Sequence, residues 1–477
     1  MRLLVGVAAL RPGRRRPPPV RAVEVGDDRS SRPRATPSSA SNSGAWLGTS
    51  ATNTAILLCG LATGVLSARL LAPDGRGALA AVLFWPQLIT SLGLLSLPSA
   101  LIFRRGRPDA DRTALAATAA WLALGLSAIG ALVGYLVLPF LMRGSSAGAL
   151  AQYYLLAFMP FNFLALTLLA LDQADMRFAR YNLIRLLPPG LYLVGLLALW
   201  ALGVVSVASL VWASWLGTAL SALVRLYHSR AAVRIWPSLS EARRLIVFGA
   251  RLHGAALLAV LLAGADRLVV ITFWDDASLG LYVVALTLAT AGLNVVTGAF
   301  SVLLLPRLAE AKDAAAQRRI MGQTLRYAML LLTAGTAILL LLCPWLLPFL
   351  FGDAYTGAVG LCLVLLVAYL PTALRQVIVH GLSGTGDWRP RILAQGLALI
   401  TFVGVVSPLA ERLGLLGVPT ALLVANGIAL AYLLVFLRRQ LALSSRECWG
   451  LSPTTVRHLW WHGRALVKGA RAVGANG

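Results

Sequence analysis

Apolar stretches of about 20 residues recur along almost the whole chain, separated by short gaps that hold most of its charge. A helix rises about 1.5 Å per residue and a bilayer core is about 30 Å thick, so each stretch is long enough to cross a membrane. This constrains the fold more than any other feature, because backbone groups in hydrocarbon must find partners within the bundle, and helices satisfy their own. The pattern predicts about twelve spans, at 46–70, 78–103, 113–141, 151–171, 181–201, 203–227, 245–273, 279–305, 320–350, 357–382, 391–410 and 414–437. The gaps between them are too short to fold into separate domains. Any activity must therefore reside in the helical bundle.

Composition excludes several classes of function. At 58% hydrophobic and 13% charged residues, the chain lies far from the balance of an ordinary soluble domain. A net charge of +24 would suit a nucleic-acid binder, but the arginines are confined to the gaps and the two ends. They report topology, and no nucleic-acid partner is expected. Cys59, Cys343, Cys362 and Cys448 show no metal-ligand spacing, so packing cysteines are expected, with no metal and no cofactor. There is no HExxH or GxSxG motif, and no outer loop is long enough to carry a polymerase or ligase site, which argues against an enzyme.

The basic gaps alternate. "RRGRPDADR" (104–112), "DQADMRFAR" (172–180), 228–244, 306–319 and 386–391 all fall on one side, with both chain ends. By the positive-inside rule that side is cytoplasmic, as are both termini. "ARLLAPDGRGALA" (68–80) then lies outside, where Arg69 and Arg76 are exceptions to the bias. The domains expected are a disordered basic tail at 1–44, a first lobe at 45–227 and a linker at 228–244. A second lobe at 245–440 and a basic tail at 441–477 complete the chain.

Two lobes are expected because the sequence repeats itself at an offset of about 200 residues. Gly77 falls over Gly280, Pro160 over Pro371, and "DMRFAR" (175–180) over "DWRPR" (387–391). Six spans are an even number, so the halves share one orientation and are related by an axis along the membrane normal. The fold class expected is thus an all-α polytopic membrane protein with two six-helix lobes around a central cavity. Pro86, Pro98, Pro160, Pro188, Pro189 and Pro371 lie within spans and should bend them.

These residues resemble a known family. "ARLLAPDGRGALAAV" with "LGLLSLPSALIF", then "ADRLVVITFWDDASLGLYVVALTLA" (265–289), "FGDAYTGA" (351–358) and "HGLSGTGDWRPRI" (380–392), are similar to polysaccharide exporters and oligosaccharide flippases. These belong to the multidrug/oligosaccharidyl-lipid/polysaccharide (MOP) flippase superfamily. The resemblance implies alternating-access transport of a polyprenyl-phosphate-linked glycan across the cytoplasmic membrane. It also implies contact with membrane lipids and with the glycosyltransferases or polymerase of the same pathway. The body of the first span, "ATNTAILLCGLATGVLSA" (51–68), carries no basic residue, unlike the lipid II flippases of that superfamily, which makes another glycan the expected substrate. A drug/cation antiporter, a lipid II flippase and a scaffold of a polysaccharide assembly complex are the competing readings.

Charge near a bilayer centre is costly, so Asp266, Arg267 and Arg375 need a partner or a task. The first two lie about eight residues before Trp274 and Arg375 about nine before Gly384, each roughly 12–13 Å deep and close to a common level. At the repeat-equivalent positions stand Thr63, Gly64 and Leu164, so the fold itself does not demand charge there. Arg375 and Arg267 are candidates for binding a pyrophosphate, since guanidinium suits bidentate contact with phosphate. Gln376 and Asn294 are candidate sugar contacts, and Asp266 is a counter-ion or a protonatable group for ion coupling. A static ion pair of Asp266 with either arginine is equally compatible with the sequence.

Overall fold

The computed structural model describes residues 39–143, 145–230, 235–309, 314–383 and 389–441, and every regular element among them is helical. The tails expected at 1–44 and 441–477 lie outside the described residues up to position 38 and from position 442. Two of the long apolar helical stretches, 48–93 and 389–440, each hold two of the expected spans. The other seven hold one each and a shorter apolar stretch, Asp276–Ala291, marks the remaining one, so the described helices match a twelve-span bundle.

The helices are α1 (Ser39–Gly93), α2 (Leu97–Arg105), α3 (Arg112–Leu141), α4 (Gly148–Ala174), α5 (Phe178–Ala201) and α6 (Val207–His228). Then follow α7 (Leu239–Phe273), α8 (Asp276–Ala309), α9 (Ala314–Phe351), α10 (Ala358–Ser383), α11 (Arg389–Leu413) and α12 (Gly417–Leu441). Local sequence marks several starts. The Asp111 side chain accepts from the Thr113 and Ala114 amides at the head of α3, and Ser206 with Ser209 forms a capping box on α6.

The first two spans differ from the sequence expectation of two helices joined by a polar turn. α1 runs through both, and the turn is reduced to a kink at Ala72 (φ 57°, ψ 177°). Pro73 can open a helix because its missing amide falls among the unsatisfied first donors, so the second helix starts directly after the kink. The second span then breaks before its expected end at 103, where Leu95 and Ser96 adopt positive φ ahead of α2. Pro98 explains the break, since it has no amide to offer the Leu94 carbonyl and its ring would crowd that group in a continuous helix. The Leu97 amide donates to Leu94 O instead (2.9 Å). The freed Leu92 carbonyl accepts from His253 Nε2 (2.8 Å), and His253 Nδ1 lies 3.3 Å from Ser96 Oγ.

The two lobes share a plan. In the first, α4 is central and packs against α2, α3, α5 and α6; in the second, α10 is central and packs against α8, α9 and α12. These are spans 4 and 10, the pair that Pro160 and Pro371 align. α7 joins the lobes, packing on α2 and α3 and also on α8, α11 and α12.

Gly77 and Gly280, matched as repeat equivalents, face each other across the lobes. A methyl group on Gly77 would overlap the Asp276 carbonyl and lie 2.8 Å from the Gly280 nitrogen. One on Gly280 would overlap the Pro73 carbonyl and lie 3.1 Å from the Gly77 nitrogen. The reciprocity is that of a twofold axis, and only glycine permits so close a backbone approach. Around it Arg69 donates to the Phe349 and Leu350 carbonyls, and the Tyr355 hydroxyl donates to Ala68 O (3.0 Å). These contacts draw the lobes together at the end opposite the basic turns.

Candidate functional site

Three adjoining cavities run through the bundle from one lobe to the other. A cavity of about 600 Å³ in the first lobe shares Gln87 and Ser91 with a middle one of about 350 Å³. The middle one shares Arg267 with a cavity of about 460 Å³ in the second lobe.

Helical spacing decides which side chains reach the second-lobe cavity. On α10, Thr372, Gln376 and His380 follow one another at intervals of four, with Arg375 and Val379 beside them. Arg391 and Gln395 of α11 and Leu422 and Asn426 of α12 repeat the same interval. Arg375 is 7% exposed and its Nε is buried without a hydrogen-bond partner, so a cation points into this space with unspent donor capacity. Gln376 is exposed to the cavity.

Asp266 and Arg267 are neighbours in sequence, yet 3.6 residues per turn sends them different ways. Arg267 lines both the middle and second-lobe cavities, donates to Ala263 O (2.8 Å) and lies over the Phe84 ring of the first lobe at 5.3 Å. Asp266 is 1% exposed and lies outside the cavity walls. Its Oδ2 accepts from the Tyr282 hydroxyl (2.9 Å) and its Oδ1 from the Arg267 amide (2.8 Å). The nearest guanidinium nitrogen of Arg267 is 3.9 Å from Oδ1, a loose pairing.

Arg267, Arg375 and Gln376 are therefore brought together and Asp266 stands behind them. Asn294 lies within α8, and its side chain is outside the described residues. Among other amide side chains within the spans, Gln87, Asn162 and Asn426 line cavities, whereas Asn53 accepts from Arg185 (3.0 Å).

Sequence reading missed the cations of the first lobe. Arg76 lines the middle cavity, and Arg185 and Arg225 line the first-lobe cavity. Arg225 is 3% exposed, with Nε and one terminal nitrogen unpartnered. Both lie close enough to the basic end of their spans to pass for ordinary positive-inside anchors. Arg76 did carry a signal, as an exception to the charge bias. Among the described residues, no carboxylate lines any of the three cavities. Asp172 is buried on α4 but is bound by Arg180.

Comparison with known proteins agrees with this architecture. A family model described as polysaccharide biosynthesis protein matches residues 66–360. No curated protein matches the chain in sequence. Among solved structures, an inward-facing multidrug resistance MATE family transporter of the MOP superfamily superposes with a TM-score of 0.68 at 17% identity. The match covers 81% of this chain and 94% of that one. The lipid II flippase MurJ, in an inward closed conformation, gives 0.67 at 14% identity, over 82% of this chain and 87% of that one. The MATE multidrug transporter DinF-BH in complex with R6G gives 0.60 at 15%, over 86% and 96%. With an all-helical bundle of membrane-length spans, adjoining cavities in its two lobes and a family match over more than half its length, the chain belongs to the polysaccharide biosynthesis protein family, is a multi-pass membrane protein and shares the fold of the MOP-superfamily structures it superposes on.

Proposed function

We propose that the protein carries a polyprenyl-phosphate-linked oligosaccharide or polysaccharide precursor across the cytoplasmic membrane, with both of its termini on the cytoplasmic side. One observation carries this reading: the cavities are lined by Arg76, Arg185, Arg225, Arg267, Arg375 and Arg391, and by no carboxylate among the described residues. Buried guanidinium groups are poorly solvated and gain most from an anion that accepts several hydrogen bonds at once, as a phosphate does. A cationic drug would meet like charge in the same space, which disfavours the antiporter reading. Arg375 binds the pyrophosphate with Arg267 beside it, and Gln376, Gln395 and Asn426 contact sugar hydroxyls. The close Gly77–Gly280 contact and the adjoining cavities fit a cycle in which the lobes rock about that contact.

The test is glycan export by Arg375→Ala and Arg375→Lys variants at verified membrane levels. The alanine variant should lose about tenfold or more, as expected for removing a charged hydrogen-bond partner, and lysine should restore part of it. Undiminished export in both would overturn the phosphate role. Asp266, held by Tyr282 beside Arg267, is the group we assign to ion coupling. Collapse of the proton gradient should then halt outward movement of the lipid-linked sugar, and movement that continues would refute the coupling.

A further inference from the structure

Outside the transport cavity, a separate recess of about 780 Å³ opens at the basic end between α2 and α7. Its wall holds Arg104, Arg107, Arg243, Arg244 and Arg251, with Asp109 as its one carboxylate. The nearby acids are already engaged. Glu241 accepts from Arg104 at 2.8 and 2.9 Å and from Arg244 at 2.8 Å, and Asp109 accepts from Arg104 at 2.8 Å. Among the described residues, Arg107, Arg243 and Arg251 form no ion pair. Arg243, Val247 and Arg251 follow at intervals of four on α7, so two free cations flank an apolar step. The stacked rings of Phe103 and Phe248, with centroids 4.3 Å apart, complete an apolar wall.

The surface beside this recess identifies the source of a ligand. Trp236 (86% exposed) and Leu239 (87% exposed) present apolar surface at the start of α7, and Ile246, Val247 and Leu252 continue it. An exposed tryptophan beside aliphatic residues, at the end of a span, marks the level where headgroups meet acyl chains. A site there with three guanidinium groups that make no ion pair, one of them (Arg107) lying over the Phe103 ring at 4.8 Å, matches a phosphate tethered to hydrocarbon better than a free ion.

We propose that this recess binds the phosphate headgroup of an anionic bilayer lipid, separately from the transported substrate. Because α2 belongs to the broken second span of the first lobe and α7 runs on into the second lobe, the bound lipid braces the joint between them. Loss of the lipid loosens the Arg104–Glu241 contact and makes transport depend on the charge of the surrounding membrane.

The full chain, purified in detergent, is supplied with phosphatidylglycerol, phosphatidylcholine or inorganic phosphate, and retained lipid and the thermal midpoint are measured. Phosphatidylglycerol should be retained and raise the midpoint, while phosphatidylcholine and phosphate at equal concentration should do neither. The R243Q/R251Q double variant should retain about tenfold less phosphatidylglycerol, whereas R230Q, at the same end but outside the recess, should retain the normal amount. Equal retention of the two lipids, an unchanged double variant, or an equal effect of phosphate alone would each overturn the proposal. Should the double variant not fold, the three arms on the unaltered chain decide. Retention is read without transport, so failure of this site and failure of the glycan reading are separable.

Discussion

The two ends of the bundle are held together by different physics. At the Gly77 end the lobes meet through backbone, with two glycines in reciprocal contact and carbonyl groups accepting from Arg69 and Tyr355. At the basic end the joints are ionic: Arg104–Glu241–Arg244 links α2 to α7, while Arg105–Asp175 and Arg180–Asp172 tie elements within the first lobe. Among the described residues no ion pair lies at the Gly77 end. The first kind of joint is steric, so it tolerates no side chain but ignores salt. The second tolerates changes of shape but responds to pH and ionic strength. On the transport reading proposed above, alternate opening of the two ends would work one latch set by contact and one set by charge.

The sharpest way to break this contrast is at the glycines. Gly77→Val or Gly280→Val places a side chain against backbone that cannot yield, so the far end is forced apart. We expect export to fall below a tenth of normal and the thermal midpoint to drop by several degrees, in line with overpacking costs of about 1–3 kcal/mol. The drop should be the same at low and high salt, as measured by thermal unfolding in detergent. A midpoint that stays unchanged would remove the steric half of the comparison.

Next in size is the ionic latch. Glu241→Gln leaves Arg104 and Arg244 without their shared carboxylate and should cost about 1–3 kcal/mol, with loss of most salt sensitivity at that end. The pH dependence follows in sign. Chiefly the Arg104 hydrogen bonds, and then the charges of Arg104 and Arg244, hold the Glu241 carboxyl below its ordinary value. Arg105 does the same for Asp175. A carboxyl depressed in the folded state contributes stability above its unfolded value near 4, and that contribution is lost as pH falls through the folded value. The midpoint of the unaltered chain should therefore fall more steeply below about pH 4 than that of Glu241→Gln. Parallel curves would show that this pair does not govern acid sensitivity.

The smallest effect is expected from Tyr355→Phe, which deletes one hydroxyl donor to Ala68 O at the Gly77 end. It should cost about 0.5–1.5 kcal/mol, with the glycine contact intact and export nearly normal. A loss of export equal to that of the glycine variants would shift the weight of that latch from sterics to hydrogen bonding.

Much of the fold was legible from local pattern. Hydrophobic length alone located the spans, and the register of Gly77 on Gly280 exposed the repeat before any contact was known. The site was legible only in part. Arg267, Arg375 and Gln376 stood out because charge and amide groups in mid-span need a reason, and they do share a cavity. Arg185 and Arg225 did not stand out, because an arginine near the basic end of a span has an ordinary explanation that conceals any other.

The sequence by itself determined the number and approximate position of the spans, the duplication and the excess of positive charge, all of which follow from composition over windows of one span. Only the tertiary structure decided that Asp266 turns to Tyr282 while Arg267 turns to the cavity, that residues 68–80 form a kink instead of a loop, and that the glycines marking the repeat also touch. The physical reason is that hydrophobic length is a property of each segment, whereas the direction of a side chain and the distance between two backbones depend on which helix packs alongside.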